Sequence, residues 1–382
     1  MNEHKISKNL LKVIDKLHAL DMREIPVIVE RTETEYIEGA FSLVPMVAMK
    51  LSVDEIYYYS ETQAVKYIWL DEKVHTCLHE SVPQIAVPYV WDQGATGFDM
   101  TICIVDTGVD ILHPGLHVIE RTDFTGEGPN DTNGHGTHCA GIAAGFGDYE
   151  GVAPDADILS AKVLDRDGSG YWSDVMAGVE WAVDQGAEVI SLSLGSDSPS
   201  DGQDPLSQMC NAAAEYCVVC VAAGNSGPGY QTIGSPGAAE KVITVGSVDK
   251  RNVLSRFSSW GPTLDGRTKP DICMPGQDIV SCRASGTSMG TPVNSLYTRA
   301  SGTSMATPHM AGLAALLLEA GAYPRDVKDI IKKTALDLQL EEYAVGAGRA
   351  RADAAYNYVI GEPDPPVPEP GCWEILKDFM RV

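Results

Sequence analysis

The order of apolar and polar residues divides the chain into three zones. In residues 1–82, apolar positions first recur at helical spacing and then alternate with polar ones in short runs. This pattern predicts a helix followed by strands at 25–30, 36–41, 46–51 and 65–70. The capping box Ser52-Val-Asp-Glu predicts a short helix before the last of these strands. We therefore expect a small α+β domain.

Residues 83–360 have a different pattern, in which continuous apolar runs alternate with Gly- and Ala-rich helical stretches. Strands without a polar face are buried on both sides, as in a parallel sheet between two layers of helices. The fold class predicted for this zone is α/β, with a parallel sheet and helices on both faces. The predicted strands are 100–105, 158–163, 189–194, 218–222 and 241–245, and the predicted helices are 175–185, 207–216 and 310–319.

Residues 361–382 begin with the run Glu-Pro-Asp-Pro-Pro-Val-Pro-Glu-Pro after Gly361. Proline has no backbone N–H to donate to a helix or a strand ladder, so we expect a Pro-rich, acidic tail. No apolar run in the chain reaches the roughly 18–20 residues of a membrane span. The first residues also lack the continuous apolar centre of a secretory signal, so we expect neither a span nor a signal peptide.

Composition narrows the classes of function. The formal net charge is −25, and an acidic chain has no electrostatic attraction for phosphate backbones, so we expect no nucleic-acid partner. The nine cysteines have no framework-like spacing and several lie in apolar runs, which favours a reducing compartment and hence the cytoplasm over secretion. Cys217 and Cys220 form a C-x-x-C pair, but the surrounding sequence is typical of a buried strand rather than of a redox or zinc pair.

Two segments carry candidate chemistry near the start of the second zone. Asp106 directly follows an apolar strand, where reactive groups of parallel sheets collect, and it serves either as a helix N-cap or to hold a functional group. His135 lies between two glycines at the start of a helix, which suits an exposed general base. The alternative is a metal site formed by His135, His138 and Cys139, although no fourth ligand lies nearby in the sequence.

A third segment places Ser304 in the first turn of a long apolar helix. There it is either an N-cap or a nucleophile beside amide groups that stabilise negative charge. The heptapeptide Arg-Ala-Ser-Gly-Thr-Ser-Met occurs twice, at residues 283–289 and 299–305. Because only the second copy continues into a helix, Ser304 is the candidate nucleophile and Ser288 is predicted to lie in a loop.

Taken together, these segments resemble the subtilisin-like serine proteases, the subtilases. The resemblance rests on Asp106-Thr-Gly, Gly134-His135-Gly-Thr-His and Gly302-Thr-Ser304-Met-Ala-Thr-Pro-His, and it spans most of residues 83–358. It implies a serine endopeptidase in which Ser304 attacks, His135 transfers the proton and Asp106 orients the imidazole. An alternative of another class, a catalytically weak peptide-binding or inhibitory relative, would require a broken triad.

The resemblance also implies binding residues. Val-Ala-Ala-Gly-Asn225-Ser-Gly is similar to the family's oxyanion loop, with Asn225 as donor, although Asn225 by itself could be a left-handed turn residue. Two further stretches are similar to strands that pair with an extended peptide substrate. The implied substrate-binding residues are Gly168, Ser169, Gly170, Ser193, Leu194, Gly195, Ala223 and Gly224.

The first zone resembles the propeptide of this family, which implies a self-processing zymogen. Residues 1–82 would assist folding and inhibit the enzyme until Ser304 cleaves the chain between about Lys73 and Gln84. Expected partners are therefore protein and peptide substrates and the chain's own propeptide as inhibitor.

Calcium is implied by the family, but the usual tight site is not evident. His113-Pro114-Gly115 has no carboxylate at the expected place. Other oxygen clusters are equally consistent with solvated acidic loops and lack the spacing of an EF-hand. The candidate calcium-binding carboxylates are Asp165, Asp167, Asp197, Asp201, Asp204, Asp148 and Glu150.

The acidic residues are concentrated in one part of the chain. Residues 122–215 contain seventeen Asp and Glu against Lys162 and Arg166. This surplus of negative charge either favours cationic peptides as substrates or only keeps the surface soluble.

Overall fold

The computed structural model describes residues 3–7, 10–11, 14, 24–32, 45–70 and 80–363. The chain forms two compact units, Met1–Thr76 and Cys77–Val382. The predicted strand at 36–41, the part of the predicted cleavage stretch before residue 80, and the tail beyond residue 363 lie outside the described residues.

The first unit contains a three-stranded antiparallel sheet in the order β2-β1-β3. Its strands are β1 (Ile25–Arg31), β2 (Met46–Leu51) and β3 (Val65–Leu70), and helix α1 (Val53–Glu61) connects the last two. The predicted capping box is present, because Ser52 accepts a hydrogen bond from the backbone of Glu55 and the Glu55 carboxylate accepts one from the backbone of Ser52. Alternate residues of β1 are buried, which gives the sheet one apolar face against α1.

The second unit is built around a seven-stranded sheet in the order β10-β9-β8-β7-β4-β6-β5, in which every neighbouring pair is parallel. The predicted α/β class and parallel sheet are confirmed. Each of the five predicted strands is present, with its start and end shifted by three residues at most. The strands are β4 (Thr101–Asp106), β5 (Val118–Asp123), β6 (Asp157–Lys162), β7 (Val189–Leu192), β8 (Val218–Ala222), β9 (Ile243–Val248) and β10 (Ile272–Pro275).

Helices cover both faces of this sheet. On β4, Ile102 and Ile104 belong to one buried cluster, whereas Cys103 and Val105 belong to the other, as the twofold period of a strand requires. The helices are α2 (Ser81–Gln84), α3 (Val87–Asp92), α4 (His135–Ala144), α5 (Trp172–Asp184), α6 (Pro205–Ala213), α7 (Thr303–Glu319), α8 (Pro324–Lys333), α9 (Glu342–Val345) and α10 (Ala352–Ile360). In the part of the chain that the structure describes, none of the helices is long and apolar enough to cross a membrane.

A small antiparallel sheet precedes the longest helix and contains the first two residues of the second copy of the repeat. Its strands are β11 (Ile279–Cys282), β12 (Thr291–Pro292) and β13 (Tyr297–Ala300), in the order β11-β13-β12. The first copy, at 283–289, lies in the connection between β11 and β12, and its Ser288 is exposed. The second copy runs from β13 directly into α7, as the sequence predicts for the segment that contains Ser304.

Candidate active site

Asp106 is the last residue of β4, and its side chain is fully buried (0 % exposed). Its Oδ1 accepts a hydrogen bond from Nδ1 of His135 over 2.8 Å and another from the backbone N–H of Thr107 over 2.7 Å. A carboxylate can only accept, so the proton of the imidazole lies on Nδ1 and Nε2 remains an acceptor. Asp106 therefore orients His135 rather than capping a helix.

Two glycines allow the start of α4 to approach the turn after β4. A Cβ atom on Gly136 would lie 2.1 Å from the carbonyl oxygen of Gly108. Gly134 has a φ of 108°, and a Cβ there would lie 2.7 Å from Oγ1 of Thr287. Larger residues at either position would move His135 away from Asp106.

Asp131 holds this helix start in place, and the sequence analysis did not identify it. Its Oδ1 accepts hydrogen bonds from the Thr107 hydroxyl and from the backbone of Asn133 and Gly134, and its Oδ2 accepts two from Thr137. These five bonds join the residue after Asp106 to the first turn of α4. A carboxylate four residues before a helical His, in the turn sequence Asp-Thr-Asn-Gly, is the signal that could have indicated a cap.

Lys162 is a second residue that the sequence analysis missed. It is the last residue of β6 and is fully buried, and its Nζ donates to the carbonyl oxygens of Thr107 and Leu164 over 3.0 and 2.8 Å. Lys162 therefore connects the turn after Asp106 to the segment that leads into Gly168–Gly170. A lysine inside an otherwise apolar strand was the available signal.

The pKa of His135 is determined by opposing effects. Burial lowers it, but the adjacent Asp106 carboxylate raises it, and the pKa ends well above its ordinary value. The charged imidazolium is thus strongly stabilised at this position, as a base that must hold a proton during catalysis requires.

Ser304 lies in the first turn of α7, after the N-cap Gly302. Its hydroxyl donates to the carbonyl oxygen of Ser193 over 3.1 Å. The carbonyl oxygen of Ser304 has no helical donor, because residue 308 is a proline without an N–H. The Ser193 hydroxyl (2.8 Å) and the Cys139 thiol (3.4 Å) donate to it instead, which secures the helix start against β7 and α4.

Asn225 follows β8, and hydrogen bonds to its side-chain amide oxygen fix its orientation. Oδ1 accepts hydrogen bonds from the backbone N–H and the hydroxyl of Thr303 over 2.9 and 3.0 Å. The Nδ2 donors are therefore directed away from Thr303. Asn225 does not have positive φ, whereas Gly224 has a φ of 104°, so the left-handed residue of this turn is the glycine.

A cleft of about 590 Å³ extends from His135. Ala223 and Gly224 are not among its lining residues, and Ala223 is buried. Asn133 and Trp172, which the sequence analysis did not identify, do line the cleft, together with Asp197. The predicted binding residues that line it are Gly168, Ser169, Gly170, Ser193, Leu194 and Gly195.

The acidic residues predicted as possible calcium ligands have other partners. Asp204 is the N-cap of α6, and it accepts hydrogen bonds from the backbone of Ser207 and from three serine hydroxyls. Asp165 closes the turn to Ser169 by accepting two backbone N–H groups. Asp201 likewise accepts the backbone N–H of Gln203. Both carboxylate oxygens of Asp204 are therefore engaged in the cap, whereas Asp165 and Asp201 each use one oxygen for a turn.

The proposed metal group of His135, His138 and Cys139 is not formed. His138 is buried, its Nε2 lies 3.2 Å from the carbonyl oxygen of Thr298, and burial lowers its pKa to about 3. Among the described residues, the side chains whose ligand atoms come together are Asp106, His135 and Cys139.

The fold and these side chains define a serine peptidase of the subtilase type. A sequence profile of the subtilase family (peptidase S8) matches residues 97–357, and the chain belongs to this family.

Among known proteins, serine protease AprX of Bacillus subtilis (strain 168) is 35% identical over 347 residues, which cover 77% of this chain and 75% of AprX. Thermitase of Thermoactinomyces vulgaris is 39% identical, over 72% of this chain and 94% of thermitase. An alkaline protease of Alkalihalobacillus alcalophilus is 34% identical, over 90% of this chain and 87% of that protein. The chain is a subtilisin-like serine endopeptidase, which confirms the predicted activity.

Proposed function

We propose that Ser304 is the nucleophile, His135 the general base and Asp106 the group that orients it in the hydrolysis of protein substrates. The observation that carries this proposal is the 2.8 Å hydrogen bond between the fully buried Asp106 and His135. Cys139 contacts both this pair and the residue of the nucleophile, because its Sγ lies 3.9 Å from Nδ1 of His135 and 3.4 Å from the carbonyl oxygen of Ser304.

The reaction begins with a rotation of Ser304. Its hydroxyl leaves the carbonyl oxygen of Ser193 and turns to Nε2 of His135, which takes the proton as Oγ attacks the scissile carbonyl carbon. Asp106 stabilises the imidazolium. His135 then donates the proton to the leaving amine, and a water molecule hydrolyses the acyl-enzyme with the same base.

The oxyanion of the tetrahedral intermediate is stabilised by two donors. One is the backbone N–H of Ser304, which lies in the first turn of α7 and has no helical acceptor. The other is Nδ2 of Asn225, whose orientation is determined by the two hydrogen bonds that Thr303 donates to Oδ1. Both donors are in place before substrate binds, so they stabilise charge without reorganisation.

The substrate is an extended peptide that pairs with backbone groups of Gly168–Gly170 and Ser193–Gly195. Main-chain pairing supports broad specificity for unfolded protein. Asp197 is exposed and lines the cleft, which supports a preference for cationic peptides. The measurement is the cleavage of Lys/Arg-rich and neutral peptides at low and high salt. A preference that is absent, or that salt does not reduce, contradicts the electrostatic contribution.

The first unit acts as an inhibitory propeptide, and cleavage falls on the N-terminal side of Ser81. Val82 is 2 % exposed and packs in the same core cluster as Ile85 and Val87. Cleavage after Val82 would remove this side chain from the core of the enzyme. N-terminal sequencing of the active protein tests the position, and a first residue of Val82 or later, or an uncleaved Met1, contradicts it.

The triad assignment is tested with Ser304→Ala and Ser288→Ala, the corresponding serines of the two repeats. Ser304→Ala is expected to abolish peptide hydrolysis and to accumulate full-length precursor. Ser288→Ala is the matched control, and it should retain activity because Ser288 is exposed in a connection. Loss of activity in Ser288→Ala together with activity in Ser304→Ala would reverse the assignment.

Two further predictions concern the surroundings of the enzyme. The seven cysteines within the described residues are free and buried, which supports a reducing compartment such as the cytoplasm. Fractionation of the native host tests this placement. Calcium binding stays a prediction from family membership, and a melting temperature that EDTA leaves unchanged would contradict it.

A further inference from the structure

The first copy of the repeat packs on the residue that precedes His135. A Cβ atom on Gly134 would lie 2.7 Å from Oγ1 of Thr287 and 3.0 Å from Cβ of Met289. Met289 is only partly buried, and its carbonyl oxygen accepts a hydrogen bond from the Thr298 hydroxyl over 2.9 Å. The connection between β11 and β12 is therefore fixed in position beside His135.

This connection and the cleft lie on different sides of His135. Asn133 lines the cleft, whereas Gly134 faces the connection, and none of residues 283–296 lines the cleft. The acyl part of a substrate occupies the cleft, and the leaving amine receives its proton from His135. The peptide that follows the scissile bond therefore starts at His135 and continues onto the side where the connection lies.

The segment after β4 extends this side of the site. The backbone N–H of Ser285 donates to Oδ2 of Asp110 over 2.8 Å. In the turn between β12 and β13, the carbonyl oxygen of Leu296 lies 2.8 Å from Nε2 of His113. These contacts join both connections of the small sheet to the segment after β4 and form one continuous surface.

The exposed side chains of this surface are mainly apolar. Leu112 is 83 % exposed, and Ile111, Val293 and Leu296 are exposed as well. Both carboxylate oxygens of Asp110 accept backbone N–H groups. Adjacent exposed apolar side chains of this kind are typical of an interaction site.

We propose that this leaving-side surface, formed by Met289, Leu112 and Leu296 with Ile111 and Val293, binds the part of a protein substrate that follows the scissile bond. The inference rests on the catalytic roles proposed above. The surface favours apolar side chains in that part of the substrate, because binding removes apolar area from water. The occupant is a peptide rather than a second copy of the chain, because the surface is continuous with the active site at His135.

The same surface binds an amine that takes the place of the leaving peptide. In that reaction the amine nitrogen attacks the acyl carbon, and the bond from that carbon to Oγ of Ser304 breaks. His135 transfers one proton from the amine to Oγ, so the free enzyme is restored. An apolar dipeptide amide should therefore compete with water for the acyl-enzyme better than a polar one.

The first experiment measures kcat/KM for two fluorogenic peptides that share the acyl part and have either leucine or serine after the scissile bond. Each value is divided by that for an anilide with the same acyl part, which has no leaving peptide. Leu340→Ser is the matched control, because Leu340 is 49 % exposed between α8 and α9. We expect the preference for leucine to fall about fivefold in Leu112→Ser and Leu296→Ser and less than about twofold in Leu340→Ser.

Two results of this experiment would overturn the surface. One is a wild type without a preference for the leucine peptide, and the other is an equal preference in Leu112→Ser and Leu340→Ser. A wild type that hydrolyses neither the anilide nor the peptides would instead contradict the proposed function.

The second experiment measures how the acyl-enzyme partitions. An ester with the same acyl part is hydrolysed with Leu-Leu amide or Ser-Ser amide present, and the yield of new peptide is compared with that of free acid. The leucine amide should give more peptide in the wild type, and its advantage should fall in Leu296→Ser; equal yields from both amides overturn the proposal. Light scattering of Ser304→Ala tests the other occupant. A dimer that Leu112→Ser converts to a monomer, without a change in the cleavage preference, would assign the surface to a second copy and overturn the proposal.

Discussion

Replacing Asp131 with Asn changes one atom in the network that holds the start of α4. Asp131 accepts five hydrogen bonds, three at Oδ1 and two at Oδ2. An amide retains one acceptor oxygen, and its NH₂ group faces donors of Thr137 or of the Gly134 segment. At least two hydrogen bonds to a buried charge are therefore lost, at about 1.5–3 kcal/mol each.

Because the neutral amide costs less to bury than a carboxylate, we expect the lower end of this range, a loss of about 3 kcal/mol in the free energy of unfolding. A loss of this size lowers the melting temperature by roughly 5 °C in a domain of about 280 residues, because the entropy of unfolding is about 2.1 cal/mol/K per residue. The first turn of α4 should also shift, and a displacement of about 1 Å at His135 would lower kcat about 100-fold. KM should change little, because other loops supply the peptide-pairing strands.

The melting temperature is measured in the Ser304→Ala background, where self-digestion does not interfere, and kinetics are measured with the Ser304 enzyme. Asp157→Asn is the matched control, because Asp157 bonds the exposed His117 at the start of β6. A melting temperature and kcat within error of the wild type for Asp131→Asn would refute the positioning role.

Four further predictions follow from the site. Asn225→Ala should lower kcat by 10²–10³ with KM unchanged, a magnitude known from this family rather than worked out from the structure; an effect confined to KM would exclude an oxyanion role. The kcat/KM of the wild type should rise with pH through an apparent pKa above 6.5, because neutral His135 is the base, and Asp106→Asn should move this limb to lower pH. Because the folded protein binds this proton more tightly than the unfolded chain, protonated His135 stabilises the fold fully below about pH 6.5, and this stabilisation is lost as pH rises through the raised pKa. The melting temperature of Ser304→Ala should therefore fall over that interval relative to that of Ser304→Ala/His135→Gln, and a rise would contradict the sign. Gly136→Ala should abolish activity and the release of cleaved propeptide fragments, since its Cβ would lie 2.1 Å from Gly108 O. Gly147→Ala, which is strained at a φ of 93° but meets no atom within 4 Å, should lower stability and retain activity.

Five of the seven strands of the main sheet were predictable because they are mostly apolar runs, and burial on both faces leaves few other structures for such a run. The polar, partly exposed β5 and the four-residue β10 were not predicted. The start of α7 was predicted from its motif, which places Ser304 in the first turn, and not from the apolar period. The period by itself indicates a helix only from residue 310, whereas α7 begins at Thr303 and includes Pro308. The missing hydrogen bond is replaced by Ser193 and Cys139, which lie 111 and 165 residues away along the chain, and such contacts leave no local signal.

The places of Asp106, His135 and Ser304 at a strand end and at two helix starts were also predictable from their motifs, whereas their catalytic roles came from the resemblance to the subtilases. Asp131 and Lys162 were missed, because a carboxylate in a turn and a lysine in a strand look ordinary until their partners are known. Asp204 shows the converse, since an acidic loop that suggested calcium proved to be a helix cap.

The sequence by itself determined the fold class, the order of the motifs and the identity of the reactive groups, because periodicity and turn chemistry are local properties. Only the tertiary structure decided which of these groups contact one another. His138 turns to Thr298 while Asp106 takes the place beside His135 and Cys139, and the first copy of the repeat packs on Gly134 while the second presents Ser304. These choices depend on distances between residues far apart in the chain, which packing of the sheet and helices determines and local sequence does not.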